Sequence, residues 1–336
     1  MPIPWIAACI LAAAPAPTDD AGPFVRALWC LQAHGKASAA TPANDLRLKA
    51  TLFKALGKDG VITLDELGGL MSDDVFQSLA GGDRRLSPGE IAGALKSAEP
   101  ESRRHLHPSI RRHLDALTTS YDMIGEAHRE AGGDLAAWIA RSYRPGQALD
   151  ITVVCTGNSR RSILGSTMGN VAAAYYGLPE VRFHSGGTAP TAFNPRTIEA
   201  LRSIGVEIEP TGDEAPRGEP HTANPRHRVR WGTPSAESPM EAIEFSKHYA
   251  DPANPQKGFA ALMVCSEADA GCPIVKGASK RISMPYLDPK LYDGSPFEAA
   301  KYAERRDDIA RLLLSAMMQA RLLIERDAPQ PHRGNQ

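Results

Sequence analysis

The sequence predicts an α/β domain with an open parallel sheet and flanking helices, preceded by a small all-α domain. Between residues 148 and 326, short β-branched or apolar runs alternate with longer helical patterns, which is typical of a parallel sheet. Residues 23–147 instead show helical periodicity with breaks. The length of 336 residues exceeds one compact domain, so two domains are expected.

The composition is that of an ordinary globular protein, with 42% hydrophobic and 23% charged residues. A formal net charge of -1 argues against a nucleic-acid partner and against electrostatic membrane binding. Five cysteines are too few for a disulfide scaffold in a chain of this length. Their chemistry must therefore be considered one cysteine at a time.

The first 22 residues are predicted to be an export signal or a disordered segment. Residues 3–16 are apolar and rich in Ala, and PAPTDD follows with small residues near a cleavage point. This run is too short to be a lasting transmembrane anchor. The pattern favours a periplasmic or secreted protein over a cytoplasmic one. Residues 327–336 are expected to be a disordered tail.

Two segments of the all-α domain, residues 57–67 and 81–91, share one pattern. Each has an Asp before a bend, an aliphatic residue three positions later, and a capping box that starts a helix. The spacing resembles an EF-hand pair, but Ala, Gly and Leu occupy the early positions where calcium needs oxygen ligands. A degenerate EF-hand-like module is therefore expected, with weak calcium candidates at Asp59, Glu66, Asp83 and Glu90.

Residues 151–162, ITVVCTGNSRRS, combine a strand, a turn and the start of a helix. Such a loop directs backbone N–H groups and a helix N-terminus at a bound anion. Cys155 is the predicted nucleophile, Ser162 the donor to its sulfur, and Arg161 the bidentate clamp. The alternative, a buried strand-end cysteine and a solvated arginine, fits this context less well. The predicted substrate contacts are Thr156, Gly157, Asn158, Ser159 and Arg160.

The segment VCTGNSRRS resembles the nucleophile loop of the low-molecular-weight protein-tyrosine-phosphatase superfamily, which includes the thioredoxin-coupled arsenate reductases. Residues 185–208 resemble its second strand-turn-helix segment. The resemblance implies a flavodoxin-like sheet for residues 148–326 and a cysteine-thiolate enzyme. No cofactor is expected apart from the weak calcium candidates. Arg160 stands where the family usually has a second Cys.

Two further cysteines follow a predicted buried strand, residues 258–264, which delivers Cys265 at its carboxyl end. Cys272 comes seven residues later, before Pro273. This spacing resembles the redox cysteine pair of the arsenate reductases. A structural disulfide and two unrelated thiols are the alternatives, and zinc is less favoured because no second Cys/His pair lies at ligand spacing nearby.

An Asp-Pro pair, Asp288-Pro289, follows the predicted strand 281–284. A lone Asp-Pro is usually a turn, but its position resembles the general-acid loop of the superfamily. The resemblance implies that Asp288 protonates the leaving oxygen.

Residues 211–257 make the domain longer than the compact family core. They are rich in Pro, Gly, Arg and His and show little periodicity. An irregular insertion is therefore predicted, serving as a lid, a partner surface or a merely tolerated loop. Before it, the sequence predicts a Gly-rich turn at residues 185–188, a helix capped by Asn194, and a short edge strand at residues 206–208.

Two reactions begin with the same attack of Cys155 on a bound oxyanion. The cysteine pair favours an arsenate reductase-like enzyme, which would need a thioredoxin-like reductant. The alternative is a protein-tyrosine-phosphatase that hydrolyses phosphate monoesters through a phosphocysteine. A further alternative is a non-catalytic oxyanion-binding module. A small oxyanion or a phosphorylated substrate is the expected partner.

Overall fold

The computed structural model describes residues 61, 63–64, 77, 80, 83–87, 90, 99–216, 223–236, 239–271 and 274–327. Several predictions concern residues outside these ranges: the signal segment, residues 328–336 of the tail, most of the EF-hand-like module with Asp59 and Glu66, and Cys272. None of the helices in the described part of the chain has the length and apolar character needed to cross a bilayer.

The helices that precede the sheet pack on the α/β domain. They are α1 (Glu101–Arg104), α2 (Pro108–Leu117), a 3-10 segment (Thr118–Met123) and α3 (Glu126–Ser142). Proline begins α2 because its missing N–H is not needed in a first helical turn. Leu135 and Ile139 of α3 are fully buried in the common hydrophobic core. These helices are therefore part of the body that carries the sheet.

The central sheet has four parallel strands, which lie side by side in the order Val181–Gly187, Leu149–Cys155, Ala260–Met263 and Lys280–Ser283. The predicted open parallel sheet with flanking helices is thereby confirmed. Its strands and helices, in chain order with the second sheet, are β1 (Leu149–Cys155), α4 (Arg161–Tyr175), β2 (Val181–Gly187), α5 (Pro195–Arg202), β3 (Glu207–Glu214), β4 (Pro225–Arg230), β5 (Glu241–Glu244), β6 (Ala260–Met263), α6 (Ser266–Gly271), β7 (Lys280–Ser283), a 3-10 segment (Pro289–Tyr292) and α7 (Glu298–Asp327).

The helix cap at Asn194 is as predicted, since its side chain accepts a hydrogen bond from Arg196 N at 2.9 Å. The long final helix α7 buries Ile309, Leu312 and Leu313 in the same core as the sheet. These residues form the apolar face of an amphipathic helix, and such a face packs against the core. The α/β domain thus has the layer arrangement that its sequence pattern predicts.

The insertion is not irregular, and that prediction is wrong. Strands β3, β4 and β5 form a separate three-stranded antiparallel sheet in that order. Within β4 and just after it, His227, Val229 and Trp231 are buried while Arg228 points to solvent, which is the period of a half-buried strand. The predicted edge strand at residues 206–208 is the beginning of β3 and belongs to this second sheet.

The prediction of a glycine-rich turn at residues 185–188 is also wrong, because β2 continues to Gly187. A Cβ at Gly186 would lie 2.6 Å from Tyr249 Cα, and one at Gly187 would lie 2.6 Å from Thr156 O. Other backbone therefore approaches the end of this strand too closely for any side chain. The glycines make room for close packing rather than for a change of chain direction.

Candidate active site

The nucleophile loop joins β1 to α4 at the carboxyl edge of the central sheet. Cys155 is the last residue of β1 and is 3% exposed. Its Sγ lies 3.1 Å from the Oγ of Ser162, in the first turn of α4. The structure therefore brings the predicted nucleophile and the predicted donor to its sulfur into contact.

Asn158 determines which way the Ser162 hydroxyl points. Asn158 has a positive φ of 42°, a left-handed conformation that Asn tolerates better than most residues. Its Nδ2 donates to Ser162 Oγ at 2.9 Å. Because Ser162 Oγ accepts this bond, its own hydrogen is available to the sulfur of Cys155.

The loop directs its carbonyl groups away from its centre. Thr188, Ala189, Thr191 and Asn194, in the segment after β2, donate to the carbonyls of Cys155, Thr156, Gly157 and Ser159 at 2.9–3.2 Å. Within the described ranges, no acceptor contacts the backbone N–H groups of residues 156–160. These N–H groups are therefore available to an oxyanion held by the loop.

Arg161 is held by the segment that follows β7. The side chain is buried. Its Nη2 donates to Asp288 Oδ2 at 2.8 Å, and its Nη1 donates to Tyr286 O at 2.9 Å. Glu267 Oε2 lies 3.9 Å from Nη1. The buried Nε has no acceptor among the described residues, so the guanidinium retains a donor for a bound anion.

Asp288, the predicted general acid, lies beside the Arg161 guanidinium. Its Oδ1 accepts from Lys290 N at 3.0 Å and caps the 3-10 segment that begins at Pro289. The side chain is 28% exposed, so solvent reaches the carboxylate. The structure thus brings Cys155, Ser162, Arg161 and Asp288 to one edge of the sheet.

Cys265 follows the end of β6, the strand next to β1, and is completely buried. Its Sγ lies 3.4 Å from Thr156 Oγ1 and accepts a hydrogen bond from Ala268 N at 3.3 Å. The first cysteine of the predicted pair is therefore adjacent to the nucleophile loop. Cys272 lies outside the described residues, and its pairing with Cys265 stays a prediction.

The side chain of Arg160, which is also a predicted substrate contact, reaches the start of α7. Its Nε donates to Tyr302 Oη at 2.8 Å, and its Nη2 lies 3.5 Å from Asp293 Oδ2. Tyr302 Oη donates in turn to Asp293 Oδ1 at 2.8 Å. Burial and the bond to Asp293 raise the pKa of Tyr302 to about 12, so the hydroxyl keeps its proton at neutral pH. This network ties the nucleophile loop to the segment that carries Asp288.

The two calcium candidates within the described residues make local contacts. Glu90 Oε2 accepts from Ser87 N at 2.8 Å and from Ser87 Oγ at 2.6 Å, which is the predicted capping box. These bonds to Ser87 lower the pKa of Glu90. Asp83 Oδ1 accepts from Arg85 N at 2.9 Å. Nowhere in the described ranges do three His, Cys, Asp or Glu residues form a group that could hold a metal, so the calcium prediction has no support.

Sequence reasoning missed the residues that support this site from a distance in the chain. Tyr302 and Asp293 reach Arg160, and Ser246, Lys247 and Asn224 come from the insertion. The sequence carried one signal for the insertion group: the charged residues Glu244 and Lys247 lie on either side of Phe245 in the run AIEFSKHY, which also contains Ala, Ile and Tyr. Charged residues in such a run are buried only when they are paired.

Residues 150–215 match the family model of the low molecular weight phosphotyrosine protein phosphatases. No curated protein matches the chain at a significant level. A low molecular weight protein tyrosine phosphatase from Bacillus subtilis is similar at 18% identity, over 51% of this chain and 96% of that chain, with a TM-score of 0.32. A thioredoxin-dependent arsenate reductase from Corynebacterium glutamicum is similar at 16% identity, over 72% of this chain and 93% of that chain, with a TM-score of 0.29.

The family match covers the segment that carries Cys155 and Arg161 and agrees with the superfamily that the sequence predicts. The match agrees with the prediction of an enzyme of this superfamily over residues 150–215. The matched residues include the whole nucleophile loop and the segment through α5.

Proposed function

We propose that the chain is an arsenate reductase-like enzyme. In this reaction Cys155 attacks arsenate, and Cys265 then attacks the sulfur of the resulting arseno-cysteine. The observation that carries the proposal is the position of the Cys265 thiol, 3.4 Å from the hydroxyl of Thr156, the residue directly after the nucleophile. Strands β1 and β6 are parallel neighbours, so both cysteines emerge at one edge of the sheet. A second thiol beside the nucleophile is what a cysteine relay requires.

In the first step the Cys155 thiolate attacks the arsenic atom and displaces one oxygen, which leaves as water once protonated. The N–H groups of residues 156–160 and the Arg161 guanidinium hold the remaining oxygens. As the anion binds, Arg161 exchanges Asp288 for oxyanion oxygens. The released Asp288 carboxylate takes up a proton from solvent, which reaches it, and passes that proton to the departing hydroxyl oxygen.

In the second step the Cys265 thiolate attacks the sulfur of the arseno-cysteine. A Cys155–Cys265 disulfide forms, the S–As bond breaks, and arsenic takes the electron pair and leaves as arsenite. Cys272 then attacks Cys265, which frees Cys155 and leaves a Cys265–Cys272 disulfide. A thioredoxin-like dithiol reduces this last disulfide, so two electrons from the reductant balance each arsenate reduced.

The test is to measure arsenite formation with thioredoxin and to identify the disulfides by mass spectrometry. Cys265→Ser and Cys272→Ser are each expected to lose multiple turnover. Cys272→Ser should still complete one turnover and accumulate a Cys155–Cys265 disulfide, because the resolving thiol is missing. Arsenite formation that continues through many turnovers in Cys265→Ser would refute the relay.

The ion pair between Arg161 and Asp288 supports the second candidate, a phosphatase. Asp288→Asn is expected to lower kcat/KM for phenyl phosphate by about 10²- to 10⁴-fold, because the amide cannot protonate the leaving oxygen. The loss should be smaller for 4-nitrophenyl phosphate, whose leaving group needs less protonation. Inorganic phosphate should inhibit the variant more strongly, because the carboxylate no longer competes for Arg161.

Asp213→Asn is the matched control for this measurement, since Asp213 is exposed on β3 of the second sheet. It is expected to leave both substrates unaffected. An equal loss of kcat/KM for the two substrates in Asp288→Asn would show that Asp288 holds Arg161 in place and does not act as an acid. Phosphatase turnover that survives in both Cys265→Ser and Cys272→Ser would favour this candidate over the reductase.

A further inference from the structure

After β5, the chain leaves the second sheet and runs beside the end of β2. Gly187 N donates to Lys247 O, and Tyr249 N donates to Gly187 O, both at 2.9 Å. Tyr249 lies so close to Gly186 that no Cβ fits there. The insertion thus contributes an additional short stretch of backbone at the carboxyl edge of the central sheet, where the nucleophile loop lies.

This stretch makes direct contacts with the nucleophile loop. Ser246 Oγ donates to Gly157 O at 2.9 Å and accepts from Thr191 N at 2.9 Å. Lys247 N donates to Asn158 Oδ1 at 2.8 Å. Ser246 is 3% exposed, so water does not replace these bonds readily.

The bond from Lys247 N fixes the orientation of the Asn158 carboxamide. The Oδ1 of Asn158 must face this N–H donor, and its Nδ2 therefore faces Ser162 Oγ. If the carboxamide were reversed, its NH₂ group would meet the N–H of Lys247. The insertion consequently determines the direction of the Ser162 hydroxyl, which contacts the sulfur of Cys155.

Asn224, at the start of β4, holds Ser246 in place. Its Oδ1 accepts from Ser246 N at 3.0 Å, and its Nδ2 donates to Ser246 O at 2.7 Å. Both backbone groups of Ser246 are therefore paired with one buried side chain. The second sheet fixes this residue from one side while the nucleophile loop contacts it from the other.

A buried ion pair anchors the same segment below the loop. Lys247 Nζ lies 3.3 Å from Glu244 Oε2, and both side chains are 5% exposed. Glu244 also accepts from Ser166 Oγ of α4 at 2.8 Å and from Ser185 Oγ of β2 at 2.6 Å. A buried ion pair contributes little net stability to a fold. Because the Glu244 carboxylate must keep its partners on α4, β2 and Lys247, however, the pair holds the segment in one conformation.

We propose that residues 244–247 of the insertion are a positioning element for the nucleophile loop, with Ser246 as the principal positioning residue. The inserted sheet is then required for oxyanion binding and is neither a lid nor a tolerated loop. The element acts on oxyanion binding by the nucleophile loop, a step that comes before any reaction. This role holds whether the enzyme reduces arsenate or hydrolyses a phosphate ester.

The test measures how well inorganic phosphate protects Cys155 from alkylation by iodoacetamide, followed by mass spectrometry of the Cys155 peptide. In Ser246→Ala, the phosphate concentration for half-protection is expected to rise about 10- to 100-fold, because a displaced loop loses its alignment with the anion. Ser246→Thr, which keeps the hydroxyl, should restore part of the affinity. Ser235→Ala is the matched control, since Ser235 is an exposed serine of the same insertion whose hydroxyl bonds with Thr233.

A folded Ser246→Ala protein with the wild-type half-protection concentration would overturn the proposal. If that variant does not fold, the double variant Glu244→Gln with Lys247→Met provides the second test. It removes the buried ion pair and leaves no unpaired charge in the interior. A folded double variant with unchanged phosphate protection would also overturn the proposal. Alkylation requires no turnover, so an enzyme without arsenate reductase activity can still show the Ser246 effect.

Discussion

Cys155→Ser is expected to abolish turnover of both arsenate and aryl phosphates, with a loss of at least about 10⁴-fold. The serine hydroxyl is a far weaker nucleophile than a cysteine thiolate and leaves poorly from a phosphoryl or arsenyl adduct. The N–H groups of residues 156–160 and the Arg161 guanidinium remain, so inorganic phosphate should bind with unchanged affinity. Steady-state kinetics measure the first result, and isothermal titration calorimetry with phosphate measures the second.

The combination of the two measurements identifies the role of the thiol. Residual wild-type turnover in Cys155→Ser would mean that another group attacks the substrate. Loss of phosphate affinity together with activity would mean that the sulfur helps to shape the loop. A wild-type protein that binds phosphate but turns over neither substrate would support the non-catalytic binding module.

Local sequence was sufficient to predict the nucleophile loop. The residues that define the loop are consecutive in the chain, and the contact between Cys155 and Ser162 spans only seven positions. The left-handed conformation of Asn158 and the helix start at Arg161 follow from residue types at fixed spacing. The contacts that complete the loop, from residues 188–194 and from Lys247, come from parts of the chain that the loop sequence does not reveal.

The insertion could not be assigned from local pattern in the same way. Hydrogen bonds between the strands hold β3, β4 and β5 together. Arg and Glu side chains also form ion pairs from strand to strand, such as Arg230 with Glu207 and Glu241. The alternation in RHRVRW is a strand signal, but it spans few residues between Pro-rich stretches. Tertiary pairing decides such segments, and a single sequence does not reveal it.

The two glycines at the end of β2 show a related difficulty. Glycine pairs usually indicate a turn, and at Gly186 and Gly187 the sequence contains no sign of a different cause. The cause is the approach of Tyr249 to Gly186 and of Thr156 to Gly187, which are distant in sequence yet leave no room for a Cβ on either glycine. Close backbone approach has the same sequence signature as a turn, so only the structure separates them.

Arg161→Lys is the prediction that tests the anion clamp. A guanidinium forms two parallel bonds to a tetrahedral anion, whereas an ammonium is a point charge without this fork. The substitution also removes the paired contacts with Tyr286 O and Asp288. The expected loss in kcat/KM is about 10²- to 10³-fold, or roughly 2.7–4 kcal/mol, which is the effect of removing one donor from a preorganised oxyanion site.

Phosphate protection of Cys155 separates the two functions that Arg161 could have. A clamp that contacts the anion predicts that protection weakens along with kcat/KM, in contrast to Cys155→Ser, which loses turnover alone. If Arg161→Lys kept full phosphate protection, the arginine would serve only to tie α4 to the segment that carries Asp288. Arg182→Lys, on the exposed side of β2, is the control that retains both properties because Arg182 lies away from the loop in sequence and faces solvent.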